Sequence, residues 1–237
     1  TTPLIRGSVY GSGDNGHTFH DTDVKVHSGT IGIKEGAEIE LNGIKYEGPR
    51  YLYRGNVYGG GCGTDTYETT IEEGNQTKIK TYYNFNAGIV KGNTNVVVDG
   101  GHIVHNVYGG GAMGSVGTYA FADAAYIAQE GHSKVPLGKP VECANGTGTC
   151  KVTISGGKIG VSGMQMTAGG GTDDYGHVFG AGRGDAKSPD DYPNVETSAY
   201  YNESDVTITG SALVMGSVYG GSESGHVLGN TKVTVEG

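Results

Sequence analysis

A short strand-and-turn motif occurs five times along the chain and constrains its fold more than any other sequence feature. The fullest copy, GNVYGGG, combines a polar residue, an apolar Val-Tyr pair and a run of glycines. Such a pattern is typical of a short strand that ends in a tight turn. Its repetition within one chain predicts a stacked architecture. The copies occupy residues 7–11, 55–61, 105–111, 176–180 and 216–221.

A second repeated element, Val-x-Val, accompanies the first. Two Val or Ile residues flank a middle residue that is most often Lys or Thr. This alternation with a period of two predicts a strand whose Val and Ile side chains point inward. The copies occupy residues 23–26, 95–98, 151–154, 205–208 and 232–235, and the predicted outward residues are Lys25, Val97, Thr153, Thr207 and Thr234.

The spacing of these elements defines the repeating unit. The shortest step between Val-x-Val copies runs from Val206 to Val233 and is 27 residues long. A four-stranded propeller blade needs roughly 40 residues, and a Kelch-like propeller would also carry Trp, which this chain lacks. One three-sided coil of a β-helix fits the step, with coils about 4.8 Å apart.

The predicted fold class is therefore all-β. Because crossovers between parallel strands favour the right hand, we predict a right-handed parallel β-helix (β-solenoid) of about five coils. The aromatic residues of the Val-Tyr motif are predicted to stack inside it on successive coils. These residues are Tyr10, Tyr58, Tyr108, Phe179 and Tyr219.

Longer steps between motif copies predict inserts in a single repeat segment covering residues 1–237. The inserts lie at about 34–54, 62–92, 116–149, 161–175 and 183–204. Residues 37–41 and 43–46 are predicted to form a hairpin, and residues 119–130 a short helix stopped by Gly131. Loops on a rigid scaffold commonly carry binding sites, and most of the tyrosines lie in these inserts. The candidate ligand-binding residues are Tyr51, Tyr53, Tyr82, Tyr83, Tyr200 and Tyr201.

Composition narrows the classes of partner. The chain has 16 basic and 25 acidic residues, a net charge of −9, and no basic cluster, which argues against nucleic acid and anionic membranes. No segment approaches the roughly 20 apolar residues of a membrane span. The chain starts and stops inside its own pattern, so we expect it to be a piece of a longer protein. Partners would then include further coils of the parent chain, or self-association through open ends.

The three cysteines allow two interpretations. Cys143 and Cys150 bracket a flexible, glycine-containing turn and are candidates for a disulfide, which would fit an oxidising compartment. Two unpaired thiols in a loop are the alternative, because sequence alone cannot establish pairing. Cys62 is predicted to be a small apolar filler after a glycine turn.

One stretch matches a metal-binding repeat. Residues 60–68, GGCGTDTYE, fit the calcium nonapeptide pattern, with Asp65 as the metal ligand. That site needs tandem copies, because each turn completes the site of the next, and the sister glycine turns lack the Asp. Calcium at Asp65 and a chance match in a glycine-rich chain are the two interpretations, and no other cofactor is predicted.

Two acidic pairs and one tripeptide are further candidate functional motifs. Asp173-Asp174 and Asp190-Asp191 could serve a polysaccharide-active enzyme, since carboxylate pairs perform acid–base chemistry, or could be solvated turn residues. Residues 183–185 spell Arg-Gly-Asp, a cell-attachment tripeptide that also arises by chance in a glycine-rich chain. No nucleophile–base pairing is evident, and whether the chain is an enzyme stays open at this point.

The repeats resemble a known family. GNVYGGG at 55–61, GNTKVTV at 229–235 and SGGKI at 155–159 are similar to the β-solenoid repeats of large secreted or cell-surface bacterial proteins, many of them adhesin-like. The resemblance covers residues 7–237 apart from the inserts. It implies an extracellular location and an extended, non-enzymatic stalk or adhesive region.

Three functions are compatible with these features. The first is a non-enzymatic extracellular scaffold that presents Tyr-rich loops to a glycan or a protein. The alternatives are a β-helical polysaccharide lyase or glycosidase, and a purely structural stalk or filament subunit. Fold alone does not choose among them, because function is a property of a site.

Overall fold

The computed structural model describes residues 2–33, 38–41, 44–47, 55–161, 176–185 and 198–237, with the backbone alone for 38–41 and 44–47. Within these ranges the chain is almost entirely β-structure, and most strands run parallel to their neighbours. In chain order the elements are β1 (Leu4–Ile5), β2 (Val9–Tyr10), β3 (Thr22–Val26), β4 (Thr30–Ile31), β5 (Glu38–Leu41), β6 (Ile44–Glu47), β7 (Val57–Tyr58), β8 (Thr66–Glu73), β9 (Gln76–Tyr83), β10 (Thr94–Ile103), β11 (Val107–Tyr108), β12 (Tyr119–Phe121), α1 (Ala124–Ile127), β13 (Pro140–Cys143), β14 (Thr149–Ile159), β15 (Val178–Phe179), β16 (Tyr200–Tyr201), β17 (Glu203–Ile208), β18 (Leu213–Val214), β19 (Val218–Tyr219), β20 (His226–Val227) and β21 (Thr231–Val235).

The Val-x-Val strands form one parallel sheet, here called the long sheet. Its order is β1-β4-β10-β14-β17-β21, with β3 also pairing with β10 and β18 with β14. Val24 pairs with Val96, Val96 with Val152, Val152 with Val206, and Val206 with Val233. The stacking of the Val-x-Val copies, including the step from Val206 to Val233, is therefore confirmed.

Alternation along these strands separates the core from solvent. In β10, Val96 and Val98 are fully buried while Val97 between them is half-buried. In β3, Val24 and Val26 are buried and Lys25 is exposed. The inward Val and Ile residues of successive strands pack into one apolar cluster, as expected for a sheet with one face on the core.

The Val-Tyr motifs form a second parallel sheet, here called the Val-Tyr sheet, with the order β19-β15-β11-β7-β2. Tyr10, Tyr58, Tyr108, Phe179 and Tyr219 stack in that column. Successive ring centroids lie 4.7 to 5.0 Å apart and adjacent ring planes differ by 5° to 10°. The predicted internal stacking is confirmed, and the spacing is that of strands in a sheet.

A third line of parallel contacts also links successive repeats and has no repeated sequence motif. One run of the chain through the long sheet, the Val-Tyr sheet and this third line is here called a pass. Thr18 pairs with Val90 and Val90 with Val116. The N–H of Val116 donates to the carbonyl of Tyr200 (2.9 Å), and β16 pairs with β20. We call this series the third strand line. On every pass the chain meets the long sheet, the Val-Tyr sheet and the third strand line in the same order.

Glycine follows the Val-Tyr pair because neighbouring passes touch there. A Cβ on Gly59 would lie 2.1 Å from the carbonyl oxygen of Gly109, and one on Gly109 would lie 2.1 Å from that of Gly180. Carbonyls of these motif glycines also accept side-chain hydrogen bonds. The Thr22 hydroxyl donates to Gly59 O and the Thr94 hydroxyl to Gly109 O, both at 2.6 Å. The motif thus links the Val-Tyr sheet to the start of β3 and of β10.

The inserts carry two antiparallel hairpins in the described chain. The predicted hairpin of the first insert is present as β5 and β6. A longer hairpin, β8 and β9, occupies residues 66–83 of the second insert. The first insert otherwise lies outside the described residues, as do residues 162–175 and 186–197 of the fourth and fifth.

The prediction of a helix over residues 119–130 is wrong in extent. Residues 119–121 form β12, which pairs antiparallel with β13, so this part of the insert is extended. Asp123 then caps α1 by accepting from the N–H of Tyr126 (2.7 Å). The helix consists of Ala124–Ile127 alone. No helix in the described part of the chain has the length and apolar character needed to cross a membrane.

Candidate functional site

A polar cleft of about 460 Å³ opens where the third strand line leads into the long sheet. Its walls come from three successive passes, at the residues that precede or begin β3, β10 and β14. Parallel pairing in register places these equivalent positions side by side. The lining residues are Asp21, Thr22, Asn93, Thr94, Asn95, Gly146, Thr149 and Lys151.

Asn93 organises the wall of this cleft. Its backbone N–H and its Nδ2 both donate to Oδ1 of Asp21, at 2.7 and 3.3 Å. Nδ2 also donates to the carbonyl of Gly146 (2.9 Å), while Oδ1 accepts from the N–H of Thr149 (3.0 Å). The Asn93 side chain therefore links three passes and fixes the geometry of the polar rim. The rim consists of the lining residues other than the buried Thr22 and Thr94, namely Asp21, Asn93, Asn95, Gly146, Thr149 and Lys151.

Thr22 and Thr94 form the floor, since both side chains are buried and donate to glycine carbonyls inside the fold. The residues that remain available to a ligand are therefore those of the rim. Among them, Asn95 and Lys151 pair directly across β10 and β14.

The rim carries charge of both signs. Asp23 lies beside the cleft and receives a hydrogen bond from Asn95 Nδ2 (2.9 Å) and an ion pair from Lys25 Nζ (2.6 Å). The pKa of Asp23 is lowered, first by the hydrogen bond from Lys25 and then by that from Asn95. The Asp23 carboxylate thus remains ionised and orients the Asn95 amide at the mouth of the cleft.

An exposed aromatic ring accompanies the polar rim. Phe19 is 66% exposed, and the Lys91 ammonium lies 4.8 Å from its ring centroid. Phe19 and Lys91 stand two residues before Asp21 and Asn93 on the same two passes. A cation is attracted to the face of an aromatic ring, and Phe19 offers an exposed apolar surface near hydrogen-bonding groups.

Sequence reasoning missed this cleft. A usable signal existed, because a polar residue and then a small hydroxyl or thiol residue precede each inward Val-x-Val strand. The pairs are Asp21-Thr22, Asn93-Thr94, Thr149-Cys150, Glu203-Ser204 and Asn230-Thr231. In the first four pairs the second member is buried and the first is exposed or half-buried, which makes the first members of adjacent passes a polar column.

The structure places the predicted tyrosine sites in different environments. Tyr83, Tyr200 and Tyr201 are buried, with exposed fractions of 5%, 1% and 0%. Tyr200 and Tyr201 form β16 in the third strand line, and the Tyr201 hydroxyl donates to the carbonyls of Gly111 and Gly114 (3.2 Å each). The fifth insert therefore ends before β16 and not at residue 204. These three rings pack in the scaffold.

Tyr82 is half-buried and pairs across the β8–β9 hairpin with Tyr67, which is exposed. Their ring centroids are 5.7 Å apart. Of the six predicted tyrosines, Tyr82 is thus the partly accessible one in the described chain. Tyr51 and Tyr53 lie outside the described residues.

The predicted disulfide is not formed in the structure, where all three cysteines are free thiols. Cys150 takes the inward position that Thr94 and Ser204 take on the adjacent passes, so it points into the core. Burial raises the pKa of its thiol to about 12. Cys143 instead donates to the carbonyl of Thr147 (3.5 Å). Burial also raises the pKa of Cys62, which is half-buried.

Few groups that could bind a metal or a partner surround the other predicted motifs in the described chain. The Asp65 carboxylate accepts from Asn84 Nδ2 (3.2 Å), and no group of three or more His, Cys, Asp or Glu residues suited to a metal occurs among the described residues. Arg183 of the Arg-Gly-Asp tripeptide is buried and donates to the Gly184 carbonyl, while Asp185 accepts from the Tyr83 hydroxyl (3.2 Å). The acidic pairs at 173–174 and 190–191 lie outside the described residues.

Comparison with protein-family models, with curated proteins and with solved structures found no match to this chain. The chemistry of the cleft is therefore argued from its own residues. Fixed amides, a carboxylate, an ammonium group and a nearby aromatic ring can bind a ligand rich in hydroxyl groups.

Proposed function

We propose that this chain is a segment of right-handed parallel β-helix that serves as a non-enzymatic extracellular scaffold and binds glycans in the polar cleft. Three features support the β-helix: two parallel sheets, a third strand line, and the same order of all three on each pass. The strong preference of parallel crossovers for one hand supports the right-handed form. The extracellular location rests on the resemblance of the repeats to those of surface proteins.

The observation that carries glycan binding is the fixed polar cleft beside Phe19. A sugar ring presents hydroxyl groups at its edge and C–H groups on its faces. Asn95, Lys151 and Asp21 supply donors and acceptors for the first, and the exposed Phe19 ring supplies an apolar surface for the second. Because Asn93 already fixes Asp21, little ordering is needed on binding.

The small number of carboxylates lining the cleft favours binding without cleavage. Glycoside hydrolysis ordinarily uses two carboxyl groups on either side of the scissile bond, about 5 to 9.5 Å apart. Among the described residues that line the cleft, Asp21 is the sole carboxylate and accepts two hydrogen bonds from Asn93, while the Asp23 carboxylate beside the cleft is ion-paired with Lys25. The proposal therefore assigns Asp21 a role in positioning the rim.

A glycan panel tests the proposal. Purified protein is applied to immobilised polysaccharides and glycoproteins, and both retained protein and released sugar are measured. We expect Phe19→Ala and Asn95→Ala each to weaken retention about tenfold, as for loss of one good contact. Thr207→Ala, an outward residue of β17 away from the cleft, is the matched control and should bind like the unaltered chain.

Two outcomes count against the proposal. If the Phe19→Ala and Asn95→Ala variants are retained as well as the unaltered chain, the cleft is not the binding site. Release of reducing or unsaturated sugar ends would overturn the non-enzymatic assignment. The extracellular assignment has its own test: protease added to intact source cells should degrade this segment, and full protection would contradict it.

A further inference from the structure

The lining of the polar cleft carries one cation whose charge no described neighbour balances. Lys151 is exposed, and none of the ion pairs in the described part of the chain involves it. Two other lysines on the same sheet are paired, Lys25 with Asp23 at 2.6 Å and Lys232 with Asp205 at 3.7 Å. Lys151 therefore presents its ammonium group to whatever enters the cleft.

The carboxylates closest to Lys151 in the sheet already have partners. Asp21 lies on the pass of β3, two strands away, and accepts two hydrogen bonds from Asn93. Asp205 pairs with Lys151 across β14 and β17, and its Oδ2 lies 3.7 Å from Lys232 Nζ. These contacts offset part of the negative charge around the cleft and leave the Lys151 charge in place.

Glu203 also lies near the cleft in the polar column, but its side chain leans the other way. It pairs with Thr149 across β14 and β17. Its Cγ lies 3.3 Å from the position that a Cβ on Gly229 would take, on the pass beyond β17. The cleft is built on the opposite side, by the passes of β3, β10 and β14. The Glu203 stem is thus directed away from the cleft.

Asn95 places a second hydrogen-bond donor next to Lys151. The two residues pair directly across β10 and β14, and neighbouring strands are about 4.8 Å apart. Asn95 Nδ2 donates one N–H to Asp23 Oδ1 (2.9 Å), and an amide nitrogen carries two. The second N–H and the Lys151 ammonium can therefore donate to the two oxygens of one carboxylate. Such charge-assisted bonds are about twice as strong as bonds between neutral groups.

We propose that the cleft binds glycans that carry carboxylates, such as polymers of uronic acids, and that Lys151 and Asn95 hold the carboxylate. The inference rests on the proposed function and names the class of glycan. Lys91 adds a second positive charge, since its ammonium lies 4.8 Å from the centroid of Phe19, the apolar surface offered to the sugar ring. The whole chain has a net charge of −9, so attraction of an anionic polymer is a local property of this site.

Preference for an acidic over a neutral sugar follows from the charge of Lys151. A neutral sugar offers the ammonium hydroxyl acceptors alone, whereas a carboxylate adds the attraction of opposite charges. Because Lys151 is exposed, water and salt weaken this attraction. We therefore expect a preference of about fivefold, as for a good exposed ion pair.

Matched polysaccharides test the inference. Hyaluronan, alginate and polygalacturonate are each immobilised in two forms, unaltered and with the carboxyl groups reduced to alcohols. The apparent association constant of the protein should be about fivefold higher for the acidic form of at least one polymer. This preference should disappear at about 1 M salt, where the screening length falls to about 3 Å.

Variants of Lys151 assign the preference to the cleft. In Lys151→Gln the ratio of the two association constants should fall to about one, because the charge is lost while a donor is kept. Lys151→Arg keeps the charge and should keep the ratio. Lys134→Gln removes the same charge from an exposed residue of the third insert that does not line the cleft, and it should also keep the ratio. Circular dichroism checks that all three variants are folded.

The possible failures are distinct. Retention on neutral polysaccharides but on none of the acidic ones, or a preference that Lys151→Gln leaves intact, overturns the inference while glycan binding stands. Equal, Lys151-dependent retention on dextran sulfate would show that any anionic group suffices, and would overturn the assignment of a carboxylate. Retention on no polysaccharide of either kind contradicts the proposed function itself.

Discussion

The side chain of Asn106 accepts a hydrogen bond from the backbone N–H of His177, 71 residues later in the sequence and one pass away in the fold. Oδ1 of Asn106 accepts from the N–H of Gly176 as well, and both distances are 2.9 Å. The same relationship recurs along the column. Asn56 accepts from the N–H of Asn106, and His177 Nδ1 accepts from that of Ser217. The polar residue before each Val-Tyr pair thus links adjacent passes.

Replacing Asn106 should therefore lower the free energy of unfolding. Asn106→Ala leaves the buried N–H of His177 without an acceptor and the N–H of Gly176 with the carbonyl of His105 alone, and we expect a loss of about 1 to 3 kcal/mol in the free energy of unfolding. Urea unfolding followed by circular dichroism measures it. Asn95→Ala, which removes one exposed hydrogen bond to Asp23, should cost under about 1 kcal/mol. Equal effects would show that the Asn106 bonds contribute little.

The glycine after the Val-Tyr pair should not tolerate a side chain. Gly109→Ala would place Cβ 2.1 Å from the Gly180 carbonyl oxygen, so adjacent passes must separate. We expect a loss of about 3 kcal/mol or a failure to fold. Gly7, in the first motif copy, has no atom within 4 Å of its Cβ position. Gly7→Ala should stay within about 0.5 kcal/mol in the same unfolding assay, and a comparable loss there would contradict the steric argument.

Stability should fall as the pH rises above about 9. The thiol of Cys150 has its pKa raised from the usual 9.0 to about 12 by burial, so between these values the unfolded chain releases a proton that the folded chain keeps. The stabilisation is complete below pH 9 and is lost as the pH rises toward 12. Cys150→Ser should flatten the slope between about pH 9 and 10, before the tyrosines ionise. If the slope of stability against pH is unchanged in that variant, groups other than Cys150 cause the pH dependence.

The same burial makes Cys150 chemically inert. A thiol reagent at about pH 8 should label Cys143 and Cys62, both half-buried, faster than the fully buried Cys150. Peptide mapping after timed labelling identifies each site. Protection of Cys143 and Cys150 together, relieved by reductant, would instead reveal the disulfide that the sequence suggested.

Calcium should not stabilise the described fold through Asp65. Its carboxylate accepts a hydrogen bond from Asn84, and no group of three or more His, Cys, Asp or Glu residues suited to a metal surrounds it in the described chain. We expect the melting temperature to be the same with calcium and with a chelator. A rise with calcium that Asp65→Asn removes would restore the metal interpretation, because a ligand that binds the native state raises its stability.

The sequence by itself determined the two sheets. Alternation in Val-x-Val and the Val-Tyr-Gly turn are local patterns, and each specifies which face of a strand is buried whatever its partner. The step from Val206 to Val233 then set the register, and the aromatic column followed from it. The hairpin of β5 and β6 was also local and was predicted correctly.

Tertiary structure decided what depended on distant pairing. The third strand line joins Thr18, Val90, Val116, Tyr200 and His226, which lie in stretches without a shared sequence motif, so burial of Tyr200 and Tyr201 had no local signature. Residues 119–121 are extended because β13 pairs with them. The cleft exists because parallel register brings Asp21 and Asn93 together across 72 residues. Side-chain alternation is a property of one strand, whereas a site built across passes requires the passes to be stacked first.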